Sequence, residues 1–126
     1  MGGKIKGHIL CVDDNRDTCE MLTVLLGEAG YDVQYALSVS EGLSKARQGG
    51  FDLILLDWSF ADGTGLDLCR QIRGFDQQTA ILFYTGERNA DATASALSAG
   101  AQDYLVKPVA VDRLLRAISE YVGDNP

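Results

Sequence analysis

The chain has 126 residues and a mass of 13.6 kDa, with 46% hydrophobic residues, which suits one compact domain around a single core. Its 18 acidic against 11 basic residues give a formal charge of −7, which argues against direct binding to nucleic acid. The apolar runs at 9–12, 53–56 and 80–84 are far shorter than the roughly 20 residues a membrane-spanning helix needs.

The N-terminal MGGKIKG leads into no long apolar stretch with a small-residue cleavage site, so a secretory signal is not expected and the location is read as cytoplasmic. Cys11, Cys19 and Cys69 are odd in number and lack metal-ligand spacing, so they are read as reduced residues filling the core. No repeat, linker or low-complexity tract divides the chain, and residues 1–126 are read as one domain with its core at about 8–122.

In chain order, residues 8–12 read as a first strand. The helix after it carries Leu22, Leu25, Leu26 and Ala29 at helical spacing and stops at Gly30. Residues 31–36 alternate apolar and polar, as a half-exposed edge strand does. Ser38 and Glu41 form a capping box that opens a second helix with Val39, Leu43 and Ala46 facing inward, ended by Gly49 and Gly50. Leu53, Ile54, Leu55 and Leu56 are apolar without a break, as in a central strand buried on both faces. Thr64 can cap a helix burying Leu66, Cys69 and Ile72, and residues 80–84 form the fourth strand. An alanine-rich helix over 89–99 offers little bulk to bury, so its packing is expected to be loose. Residues 103–106 give a fifth strand, and the last helix places Val111, Leu115, Ile118 and Val122 on one face. The alternation is that of an α/β doubly wound (βα)₅ fold.

In such a sheet, ligands bind outside the carboxyl ends of the strands. Asp13 and Asp14 follow the first strand, Asp57 the third, Thr85 the fourth and Lys107 the fifth, so the fold would gather three carboxylates, a hydroxyl and an ammonium. Taken singly each has a plainer explanation: Asp13 or Asp14 could cap the first helix, and Thr85 and Lys107 could be turn chemistry. Their joint placement favours one site. Three carboxylates side by side call for a compensating cation, and oxygen donors with no imidazole nearby suit Mg²⁺ better than zinc. Lys107 and Thr85 could offset charge on a transferring phosphoryl group, and Asp57, on a rigid strand end, is the best-placed nucleophile. No phosphate-binding glycine loop follows the first strand, which removes support for nucleotide binding.

The segments ILCVDDN, LILLDWSFADGTGLDL, ILFYTGE and DYLVKP, in that order, resemble the receiver domain of two-component response regulators over nearly the whole chain. The likeness is to the stand-alone, chemotaxis-regulator type. It implies a flavodoxin-like five-stranded parallel sheet in the order 2-1-3-4-5. It further implies that Asp57 takes phosphate from a sensor histidine kinase or histidine phosphotransfer protein. Asp14 and Asp57 would bind Mg²⁺ directly, Asp13 mainly through water, and the backbone carbonyl of Ser59 would complete the protein ligands. Thr85 and Tyr104 would act as switch residues that alter the face formed by the fourth helix, fifth strand and fifth helix. The resemblance also implies a cis bond before Pro108, and roles for Ser59 and Glu87 in phosphate lifetime and for Trp58 and Gly86 in the approach to Asp57. Ala61 stands where the family usually has proline, so the acceptor loop is expected to be more mobile.

On this reading the domain is a phosphoacceptor that promotes its own phosphotransfer and autodephosphorylation, and is not otherwise an enzyme. Its downstream partner is a separate protein or a fused output domain, with a phosphorylation-linked dimer as a further option. No output domain is recognisable after Val122, which fits either a single-domain regulator or the receiver of a longer protein. Three other readings compete. One is a haloacid-dehalogenase-like phosphatase with Asp13 as nucleophile, another a pseudo-receiver that only binds protein. Flavin binding on the same fold class is the third.

Overall fold

The computed structural model describes residues 3–123. Strands β1 (His8–Val12), β2 (Asp32–Ala36) and β3 (Leu53–Leu56) alternate with helices α1 (Arg16–Glu28) and α2 (Val39–Gln48). A short hairpin, β4 (Ser59–Phe60) and β5 (Gly63–Thr64), then precedes α3 (Gly65–Arg73), β6 (Ala80–Thr85), α4 (Ala90–Ser98), β7 (Asp103–Val106) and α5 (Val111–Val122). The main sheet is wholly parallel in the order β2-β1-β3-β6-β7. With the hairpin set aside, this is the expected 2-1-3-4-5 arrangement.

Because side chains alternate across a strand, each strand feeds two cores. Ile9, Cys11, Leu53, Leu55 and Leu82 pack with Leu22 and Leu26 of α1 and with Leu114, Ala117 and Ile118 of α5. Leu10, Val12, Ile54, Leu56, Ile81 and Phe83 pack on the opposite face with α2, α3 and α4. β3 and β6 are buried along their whole length. At about 1.5–3 kcal/mol for each fully buried large aliphatic side chain, they are the firmest supports in the molecule. All three cysteines are free and buried. Burial raises the Cys11 thiol far above its usual range and Cys19 to about 11, so neither is a reactive thiolate.

Four helices start where a side chain satisfies a free backbone amide: Asn15, Ser38, Thr64 and Asn89 accept from the N–H of Thr18, Glu41, Asp67 and Asp91. The cap of α1 is therefore Asn15, which leaves Asp13 and Asp14 available for other work. Two helix faces differ from the sequence reading. In α3 the buried residues are Gly65, Leu68, Cys69 and Ile72, while Leu66 is only half-buried. In α5 they are Leu114, Ala117 and Ile118; Val111 stays 47% exposed, and Leu115 and Val122 lie at the margin of the core. In α4 only Ala92 and Ala96 are buried, and its one large apolar residue, Leu97, is 46% exposed. Among the described residues no helix is long and apolar enough to cross a membrane.

Candidate functional site

Asp13 and Thr85 are 4% and 2% exposed, deeper than polar side chains usually sit without a purpose. Both lie at carboxyl ends of sheet strands. One carboxylate oxygen each from Asp13, Asp14 and Asp57 falls within 4.8 Å of the others, with Asp13 buried, Asp14 exposed and Asp57 between. Lys107 Nζ reaches over from the end of β7 to 2.8 Å from Asp13 Oδ2 and 3.7 Å from Asp57 Oδ2, and lies 5.0 Å from the centre of the Tyr84 ring. The Lys107–Pro108 peptide bond is cis. Asp13 Oδ1 accepts from the Asn15 amide at 2.9 Å, and Asp57 Oδ1 from the Trp58 amide at 2.7 Å.

Three carboxylates against one ammonium leave a surplus of negative charge. Burial raises the Asp13 carboxyl and the neighbouring Asp57 adds to the effect, against the pull of Lys107 and the Asn15 amide. Burial works to lower Lys107, but the Asp13 hydrogen bond and the charges of Asp57 and Asp13 outweigh it and hold the ammonium protonated. A crowded, all-oxygen acidic set with one exposed member is the donor chemistry of a hard divalent cation. His8 is at the far end of β1, with Nδ1 3.0 Å from Asp32 Oδ2, and belongs to no part of this cluster. Ser59, two residues past Asp57, opens β4 with its side chain exposed.

Local folding fixes Asp57 from both sides. Its amide donates to Val12 O at 3.0 Å, and the acceptor loop closes where Gly65 N donates to Trp58 O at 2.7 Å. A Cβ on Gly65 would fall 1.9 Å from the Asp57 carbonyl, so no other residue fits there without moving the backbone. The loop between pairs as the β4–β5 hairpin, Ser59 opposite Thr64 and Phe60 opposite Gly63.

Thr85 Oγ1 accepts from the Glu87 amide at 3.2 Å, and the Tyr104 hydroxyl donates to the Glu87 carbonyl at 2.7 Å. Burial raises the Tyr104 phenol, with Glu87 and Asp57 adding to it, so it is a hydrogen-bond donor at neutral pH. Its half-buried ring stacks on Phe83 at 5.7 Å and meets the edge of Trp58 at 6.4 Å, while Trp58 and Phe83 are 5.5 Å apart. Phe83 was not singled out from sequence. The available signal was its place in a buried strand two residues before Thr85, paired in register with Leu56, the residue before Asp57. Asp62 was missed as well: its two carboxylate oxygens accept from the Val39 and Ser40 amides, both at 3.0 Å.

The model of the response regulator receiver domain matches residues 9–119. The chain belongs to that family. As a receiver domain it shares the family's general role as a phosphoacceptor in two-component signalling. It is 34% identical over 120 residues to the uncharacterized transcriptional regulatory protein YkoG of Bacillus subtilis (strain 168), covering 95% of this chain and 53% of YkoG. Identity to the transcriptional regulatory protein ZraR of Klebsiella oxytoca is 37% over 112 residues, covering 89% of this chain and 25% of ZraR. This receiver domain thus spans between a quarter and about half the length of those relatives. Its fold is similar to the crystal structure of a CheY-like response regulator receiver domain protein from Methanospirillum hungatei JF-1. There the TM-score is 0.88 and identity 30%, covering 91% and 92% of the two chains.

Proposed function

We propose that this is a single receiver domain in which Asp57 accepts a phosphoryl group from the phosphohistidine of a sensor kinase or a phosphotransfer protein. The observation that carries the reading is the position of Asp57. It ends a fully buried strand, beside the Asp13 and Asp14 carboxylates and with the Lys107 ammonium 3.7 Å away. An Asp57 oxygen attacks phosphorus in line, and an O–P bond forms as the P–N bond to the donor imidazole breaks. The electron pair leaves with the imidazole nitrogen, which is protonated from solvent. Lys107, already shared between Asp13 and Asp57, balances a phosphoryl oxygen once Asp57 gives up its carboxylate charge. Mg²⁺ held by Asp13, Asp14, Asp57 and the Ser59 carbonyl would supply further positive charge against those oxygens. Later attack by water on phosphorus returns the free carboxylate and inorganic phosphate, so the domain also dephosphorylates itself.

Thr85 and Tyr104 are the switch residues. Both hold the backbone of Glu87 on successive peptides, Thr85 Oγ1 accepting from its N–H and the Tyr104 hydroxyl donating to its carbonyl. When the Thr85 hydroxyl turns to a phosphoryl oxygen it releases the Glu87 amide, and the Glu87 carbonyl that positions Tyr104, on the next peptide, loses a neighbouring restraint. That movement alters the face of α4, β7 and α5, to which a downstream protein or a fused output domain responds, in the cytoplasm. It requires only a bias between two existing arrangements.

Intact mass after treatment with acetyl phosphate and MgCl₂ tests the reading: wild type gains one phosphoryl group and Asp57→Asn gains none. Equal labelling of the two refutes it. Absence of both labelling and any spectral response to beryllofluoride would replace it with a protein-binding pseudo-receiver. Turnover of a phosphate ester that survives Asp57→Asn and is lost in Asp13→Asn would indicate a phosphatase.

A further inference from the structure

The acceptor loop has little of its own to hold it. Its hairpin pairs only two residues on each side, too few for independent stability, and its tip is Ala61 and Asp62. Ala61 leaves φ free, and Gly63 at φ 153° adds backbone freedom that folding must remove. Both ends are fixed, at Asp57 and at Gly65, but a loop fixed only at its ends could rock about them.

The tip is fixed from outside. Helix α2 begins with amides that need acceptors: Ser38 Oγ takes the one of Glu41 at 3.0 Å and Ser38 O that of Gly42 at 2.9 Å. The remaining two, on Val39 and Ser40, donate to the two oxygens of Asp62, 23 and 22 residues further along the chain. Those two bonds depress the Asp62 carboxyl below its usual range, so it is a full anion at the positive end of the helix. Val39 also underlies Gly63, where an added Cβ would meet its Cγ2 at 3.4 Å. The carboxylate is shaped to grip both amides at once, and its partner helix is itself packed on β1 and β2 through Val39 and Ala46.

We propose that Asp62 is a positioning residue for phosphorylation: by clamping the tip of the acceptor loop to the start of α2, it holds the Ser59 carbonyl and the Asp57 carboxylate in register for Mg²⁺. This rests on the reading of Asp57 as acceptor and adds a residue that touches neither metal nor phosphate. Clamps of this kind matter because outer-shell partners tune metal affinity through the ligands they orient.

The test compares Asp62→Ala with Ser38→Ala, which removes α2's own cap without touching the loop. Mg²⁺ binding is read from the fluorescence of Trp58, the only tryptophan, and the rate of acetyl phosphate labelling from intact mass. Asp62→Ala should weaken Mg²⁺ binding and slow labelling, each on the order of tenfold. Asp62→Asn, which keeps one strong acceptor, should recover part of both. Ser38→Ala should lower Tm without changing either. Wild-type Mg²⁺ affinity in Asp62→Ala overturns the proposal, as does an equal loss in Ser38→Ala. If wild type takes no phosphate the acceptor reading fails, and the Mg²⁺ titration still decides whether the clamp positions the metal ligands.

Discussion

Replacing Asp57 by asparagine should make the metal-free domain more stable, not less. The Asp57 side chain is 17% exposed. It lies 3.7 Å from the Lys107 ammonium, an attraction of about 4.5 kcal/mol at an effective dielectric of ~20. Against this, the Asp13 oxygen within 4.8 Å repels it by at least about 3.5 kcal/mol on the same scale. Asp14, exposed and screened, adds about 1 kcal/mol more. The charge terms therefore nearly cancel, and what remains is the cost of keeping a carboxylate out of water. That is several kcal/mol for an ion, against about 1–3 kcal/mol for a polar amide. Asparagine keeps the shape, and the Lys107–Asp13 pair at 2.8 Å is left intact. The expected gain is about 1–2 kcal/mol, or roughly 4–8 °C in Tm for a domain of this size. With MgCl₂ the order should reverse, because wild type gains binding energy, about 2.7 kcal/mol at ~100 times Kd, and the variant has lost a charged ligand. Thermal melts with EDTA and with MgCl₂ measure both. An Asp57→Asn domain no more stable than wild type in EDTA would refute the account of the site as a strained acidic cluster. So would a wild-type Tm indifferent to MgCl₂.

Gly65→Ala forces a carbon to within 1.9 Å of the Asp57 carbonyl, so it should destabilise by about 3 kcal/mol and reduce labelling of the folded fraction; an unchanged urea midpoint would contradict the packing. Tyr104→Phe removes the bond to the Glu87 carbonyl but keeps the stack on Phe83, which predicts a loss of about 1 kcal/mol by urea unfolding with unaltered Trp58 emission. Burial tends to raise the Asp76 carboxyl, but the Thr79 hydroxyl, the Thr79 and Gln78 amides and Arg73 outweigh it and hold the group low. Its contribution is then fully present above the unfolded value near ~4 and is lost as pH falls through the lower folded value. Asp76→Asn should flatten the acid side of the stability curve in that window, and parallel curves would disprove the linkage.

The residues of the site were legible because each follows an apolar run. Once the runs are parallel strands, Asp13, Asp14, Asp57, Thr85 and Lys107 must share one edge of the sheet. The faces of the short helices were less legible, for a reason visible in the sequence. Leu114 and Leu115 are adjacent, as are Tyr121 and Val122, and α3 has Leu66 beside Asp67 and Leu68. Two overlapping apolar stripes therefore satisfy the helical period, and only contact with the sheet selects one. The role of Asp62 could not be read locally at all, because its bonds to Val39 and Ser40 span more than twenty residues. Asn15 illustrates a competition: three consecutive polar residues could each cap α1, and the strand geometry that buries Asp13 leaves the cap to Asn15.

On the proposed reading, the pathway out of the site has a narrow point. Leu56 and Phe83 are paired in register, so the strand ends that carry Asp57 and Thr85 are bound to the rigid centre of the sheet. They are poor candidates for movement. The backbone of Glu87 is different: it lies beyond the end of β6, in a segment without regular structure, its N–H and its carbonyl each held by one side-chain bond. Breaking the Thr85 bond leaves Tyr104 bonded to a carbonyl whose preceding peptide has lost its anchor, while its ring still has Phe83 and Trp58 to pack against. A bistable element needs that combination of one removable restraint and one persistent surface. Coupling between Thr85 and Tyr104 therefore runs through the backbone of residue 87, in a segment that the Glu87 side chain also holds by accepting from the Asn89 amide at 3.3 Å.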